Sequence, residues 1–169
     1  VKTWKYFDWL EVEIAKEKMI ISRTGFTNEL GWEIYFRPEN NSEKVGDLIL
    51  NEGKKLGMIL VATPGFRCRR IEAGLLSAGQ DFSKYTNPFS VGLGKFIDFD
   101  KENFIGKNAL SKADKTCFSW GIRVEDGIAI KGEIVNSNGK EVGKITSSTW
   151  SPYQAVSYTH LRAHETDRY

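Results

Sequence analysis

Arg23-Thr24-Gly25-Phe26-Thr27-Asn28-Glu29-Leu30-Gly31-Trp32-Glu33-Ile34-Tyr35-Phe36 is the most informative stretch of the chain. Two glycines, an asparagine and two glutamates form a turn between strand-like runs. Gly25 and Gly31 are expected to take backbone angles that other residues resist, because the chain must reverse beside a ligand. Asn28 tolerates a left-handed backbone better than most residues, so it suits the same turn. Trp32 to Phe36 then reads as a strand, stopped by Pro38. Glu33 stands at its start.

Working outward, Leu10-Glu11-Val12-Glu13-Ile14 alternates apolar and charged residues, which predicts a half-buried strand. Met19 to Ser22 reads as its hairpin partner, with the turn near Ala15 to Lys18. Asn40, Asn41 and Ser42 are candidate caps for a helix whose apolar face carries Val45, Leu48, Ile49 and Leu56, with Gly57 as its stop. Pro64 opens a second helix with Ile71, Leu75 and Leu76 as buried positions. Asn87-Pro88 marks a turn, Phe96 to Phe99 a strand, and Lys107 to Ala113 a short helix. Beyond Asp114 the texture changes to short strands at Ser119 to Val124, Gly132 to Val135 and Val142 to Ser148. Asp126-Gly127 and Asn138-Gly139 punctuate them, and Asn-Gly is a strong hairpin signal.

Three further segments follow the opening stretch: Arg70-Ile71-Glu72-Ala73-Gly74-Leu75-Leu76, Gly92-Leu93-Gly94-Lys95-Phe96 and Phe104-Ile105-Gly106-Lys107-Asn108-Ala109-Leu110. In this order and spacing the four resemble the folate-binding family of the glycine-cleavage T protein. The resemblance implies an α+β chain: a folate-binding aminomethyltransferase-type α/β domain, its C-terminal part spanning residues 1–113, followed by the start of a C-terminal β-barrel domain at 114–154. It implies transfer of a one-carbon unit to tetrahydrofolate, from a donor that a lipoyl carrier protein presents in glycine cleavage.

The chemistry fits Glu33. A pterin presents a ring N–H beside an amino group, and a carboxylate can accept both. By resemblance, Glu33 receives the pterin, Phe26 stacks on it, and Arg70 and Glu29 are further contacts. Plainer alternatives stand beside each. Glu33 is a solvent-facing strand glutamate, Phe26 a core aromatic, Arg70 a helix arginine paired to a nearby carboxylate, and Glu29 a solvated turn residue. Phe26 departs from the family's usual tyrosine. Phe66 stands where the family carries a folate-site arginine, which favours a sister branch, the dimethylsulfoniopropionate demethylases. The folate domain of a sarcosine or dimethylglycine dehydrogenase and a non-transferase iron–sulfur assembly factor are other readings; the latter group's lysine-glycine-cysteine segment is not found around Cys68. The family's catalytic aspartate is expected upstream of Val1, so the chain reads as a fragment that is inactive alone.

Composition narrows the rest. Forty per cent hydrophobic and 12% aromatic residues suit a packed core. No apolar run approaches a membrane span. A net charge of +2 gives no nucleic-acid signature, and Arg67, Arg69 and Arg70 read as a solvated helix face. Two distant cysteines imply no disulfide framework and suit a reducing, cytoplasmic setting. The Gly92–Gly94 run lacks the remainder of a nucleotide loop. The tail from Ala155, with Val156 to Thr166 at its heart, resembles a translated sequencing-library adapter, so residues 155–169 are expected to be non-native and to pack on nothing. It holds both histidines. His160 and His164 are one helical turn apart, but two ligands do not make a zinc site. No metal is expected.

Overall fold

The computed structural model describes residues 3–164. They form two compact units, 1–66 and 67–169, and the division falls inside helix α2 (Thr63–Glu72). The fold is α+β, with one antiparallel sheet in each unit.

In unit 1, β1 (Trp9–Ile14), β2 (Glu17–Ser22) and β3 (Glu33–Tyr35) pair in the order β1-β2-β3. Ala15 and Lys16, at φ 54° and 68°, make the tight β1–β2 turn. The register sets Glu33 beside Ser22, which in turn faces Trp9. Glu33 and Tyr35 therefore share the polar face with Glu11 and Glu13, while Ile34 joins Met19, Ile21 and Val12 on the other. That second face holds the buried Met19. Helix α1 (Ser42–Lys54) is capped as expected: the Asn41 side chain accepts the Lys44 amide at 3.0 Å. Val45 is fully buried, but Leu56 lies beyond the helix end and is 89% exposed, so it is not part of the apolar face. Gly57 follows at φ 81°.

In unit 2 the predicted strand at Phe96 to Phe99 is not formed. Gly94–Phe96 is a single 3-10 turn followed by loop, because Gly92 and Gly94 break the run before it can pair. Helix α3 (Lys107–Ser111) is shorter than predicted. A four-stranded antiparallel sheet holds β4 (Cys117–Val124), β5 (Ile134–Ser137), β6 (Lys140–Ser151) and β7 (Val156–His164) in the order β4-β7-β6-β5. Asn138 and Gly139, at φ 51° and 77°, close the β5–β6 hairpin. Sequence texture places a domain boundary near Lys112 to Lys115; the compact units divide earlier, at 66/67.

β7 corrects the expectation for the tail. The segment from Val156 is an inner strand, paired to β4 on one side and β6 on the other. Leu161 and Ala163 make the core cluster of this unit with Ile145. Strand pairing uses the backbone, so a segment without an apolar period can still complete a sheet. Its side chains fit less well. Ser157 Oγ and Thr159 Oγ1 are buried without a partner, and His160 Nδ1 has no hydrogen bond at normal length, its nearest carboxylate oxygen being Asp81 Oδ1 at 3.5 Å. Thr159→Val removes one orphan at constant shape. It should raise the stability of unit 2 by about 1 kcal/mol in urea unfolding; a loss of stability would mean that the hydroxyl is satisfied. Residues 165–169 of the tail lie outside the described residues.

Candidate functional site

The turn from Arg23 to Gly31 is built by close packing. Neither Gly25 nor Gly31 has a left-handed backbone, contrary to the expectation from sequence. Asn28 takes that role at φ 59°. The glycines are needed for proximity instead: a Cβ on Gly31 would stand 3.2 Å from the Thr24 carbonyl oxygen and 3.7 Å from the Gly25 Cα. Arg23 braces the turn. Its Nη1 donates to the Gly31 carbonyl at 3.4 Å, and its guanidinium lies 5.9 Å from the Tyr6 ring centre and 5.4 Å from that of Trp32.

This frame fixes Glu33. The Thr24 hydroxyl and the Tyr35 hydroxyl, the latter at 2.9 Å, both donate to Glu33 Oε2. Glu33 is thus a half-buried, held carboxylate rather than a freely solvated one. Phe26 stacks on Phe66, with ring centres 6.2 Å apart and planes 30° apart. The two positions that depart from the expected tyrosine and arginine form one apolar pair. Glu29 is exposed in the turn, and its amide donates to the Thr27 hydroxyl at 3.4 Å.

Arg70 belongs to a different centre, inside unit 2. It is 2% exposed, and Nη1 donates to Asp81 Oδ2 and the Leu75 carbonyl at 2.8 and 2.9 Å. Nη2 donates to Gln80 Oε1 and Ser147 Oγ, both at 3.0 Å. The plainer alternative, a helix arginine paired to a carboxylate, describes this geometry. Asp81 also accepts the Ser77 amide at 2.8 Å and the Thr146 hydroxyl at 2.7 Å, and His160 Nδ1 lies 3.5 Å away. Thr146 and Ser147 are consecutive strand residues, yet both reach this centre. The register shift between Ile145 and Ser147 is a bulge that re-aims them. Burial pushes the Asp81 carboxyl up, but His160, Ser147, the Ser77 amide and Thr146 outweigh it, leaving it well below the ordinary carboxylate range. Sequence reading missed Asp81, since an aspartate in a loop eleven residues beyond Arg70 carries no periodic signal.

A cavity of about 890 Å³ opens in unit 2 beside Asp81 and Thr146 and is lined by Lys131, Lys144 and Arg162; it contains none of the predicted site residues. Burial pushes the Cys68 thiol up, which suits a packing cysteine. Among the described residues, no group of three or more His, Cys, Asp or Glu could hold a metal ion, and no helix is long and apolar enough to cross a membrane.

Comparison with known proteins identifies the family. The family model for the GCVT N-terminal domain matches residues 1–101, and the chain belongs to that family. The aminomethyltransferase of Halothermothrix orenii is 34% identical over 152 residues, covering 88% of this chain and 42% of that protein. That of Aquifex aeolicus is 43% identical over 143 residues, 80% of this chain and 37% of its own length. That of Lysinibacillus sphaericus is 36% identical over 168 residues, 95% of this chain and 45% of its own. The crystal structure of glycine cleavage system aminomethyltransferase T from Bartonella henselae shares the fold, with a TM-score of 0.74 at 21% identity over 97% of this chain and 46% of that one. The chain thus spans less than half the length of these relatives.

Proposed function

We propose that this chain is part of a tetrahydrofolate-dependent aminomethyltransferase of the glycine-cleavage type, and that the Arg23–Phe36 segment supplies part of its pterin site. The observation that carries this reading is Glu33: a carboxylate held through Oε2 by Thr24 and Tyr35, within a tightly packed turn. Both hydroxyls end on Oε2, which leaves Oε1 to accept a ligand N–H. Phe26 would offer a ring to a planar heterocycle, and Glu29 stands at the mouth of the same turn. Arg70 is assigned to holding unit 2 together, through Asp81. Tetrahydrofolate would supply N5 as the acceptor of the one-carbon unit. The chain's own residues orient it and reduce competition from water.

The names of the relatives support aminomethyl transfer over the demethylase and dehydrogenase readings. On the same reading, residues 1–113 are the C-terminal part of the folate domain and 114–154 the opening of a β-barrel domain. The donor is carried by a lipoyl protein, and the setting is cytoplasmic. A crystal of the chain soaked with 5-formyltetrahydrofolate tests the site. The pterin edge should lie against Glu33 Oε1 with its ring near Phe26. Density for the pterin elsewhere, with Glu33 untouched, would overturn the assignment.

A further inference from the structure

Glu33 carries an asymmetry that pterin binding does not by itself require. A carboxylate oxygen offers two lone-pair sites, and both sites on Oε2 are filled, by the Thr24 and Tyr35 hydroxyls. Neither hydroxyl is on Oε1. A ligand edge with two adjacent N–H donors needs one site on each oxygen, so one of the two hydroxyls must yield. The two differ in how they are held. Thr24 is half-buried, and its carbonyl oxygen lies within 3.2 Å of where a Cβ on Gly31 would be, so it is locked into the packed turn. Tyr35 is 51% exposed and ends a three-residue strand at the sheet edge. Its hydroxyl can exchange Glu33 for water without disturbing any buried group.

We infer that Tyr35 is a displaceable placeholder and Thr24 the positioning residue of the Glu33 carboxylate. In the ligand-free protein the Tyr35 hydroxyl occupies the Oε2 position that the second N–H donor of the ligand takes over. Thr24 keeps the carboxylate aimed throughout. The inference rests on the pterin reading of Glu33. It narrows the ligand class to planar heterocycles with a ring N–H beside an exocyclic amine.

The two neighbours therefore have opposite effects. Binding of 5-formyltetrahydrofolate to the full 169-residue chain is measured by ligand-observed NMR, for the wild type and for Tyr35→Phe, Thr24→Val, Thr24→Ser and Glu33→Gln. Tyr35→Phe removes the competitor and should tighten binding by about two- to tenfold, the worth of one net hydrogen bond. Thr24→Val should weaken it by a similar factor, and Thr24→Ser, which keeps the hydroxyl, should restore it. If Glu33→Gln weakens binding but Tyr35→Phe leaves it unchanged or weaker, the placeholder role is wrong and the pterin reading stands. If Glu33→Gln has no effect on binding, the pterin reading itself fails and the placeholder role with it.

Discussion

Removal of residues 156–169 is expected to abolish cooperative unfolding of unit 2. β7 joins β4 to β6, so its loss leaves β4 unpaired and reduces the rest of the sheet to the β5–β6 hairpin. An isolated two-stranded hairpin is marginal in water. Of the core cluster of Ile145, Leu161 and Ala163, only Ile145 would remain. Amide exchange in β4 and β6 should rise to that of an unfolded chain, while β1 and β2 of unit 1 stay protected. An unchanged thermal transition after truncation would return this segment to the role that its adapter-like sequence suggests. The resemblance concerns where the sequence came from; the pairing concerns what the polypeptide does. The Ser157 and Thr159 hydroxyls, buried without a partner, show that the backbone of β7 fits its slot better than these two side chains do.

Asp81→Ala should strongly destabilise unit 2. Arg70 and Asp81 are a buried pair, with side chains 3% and 1% exposed. Deleting the carboxylate strands the guanidinium without its counter-charge, which costs about 3–5 kcal/mol. The thermal midpoint of unit 2 should fall by roughly 12 °C or more. The pH dependence follows from the same carboxylate. Its folded pKa is depressed below the unfolded value of about 3.9, so its contribution is fully present above that pH and is lost as pH falls through the folded value. Between about pH 5 and about pH 2 the wild type should therefore lose more stability than Asp81→Ala. Parallel pH curves for the two proteins would show that Asp81 is not held as an ion.

What could be read from the chain was local. The Ala15-Lys16 turn, the Asn41 cap, the Pro64 helix start and the Asn138-Gly139 hairpin depend on residues within a few positions of one another, and each is found where it was expected. The failures depend on distant neighbours. Gly25 and Gly31 signalled a special backbone, but which kind is settled by the approach of one chain segment to another. Arg70 carried two readings, ligand contact and half of an ion pair, and the partners that make the second visible, Asp81, Ser147 and the bulge at Thr146, come from distant segments. β7 looked structureless because its pattern lacks apolar period, although a strand flanked on both sides draws on backbone pairing. Glu33 was legible as a candidate only through the family resemblance of the stretch that holds it. Its holders were not: Tyr35 follows by strand alternation, but Thr24 reaches it only through the turn.

Whether Glu33 accepts the pterin is decided by the affinity of 5-formyltetrahydrofolate for Glu33→Gln against wild type. The glutamine keeps one acceptor but sets an amide donor against a ligand donor, so a charge-assisted pair worth about 1.5–3 kcal/mol is lost. The Kd should weaken roughly ten- to hundredfold, with the thermal midpoint little changed. An equal Kd in the two proteins would contradict the pterin assignment and leave Glu33 as a carboxylate that only ties β3 to the turn.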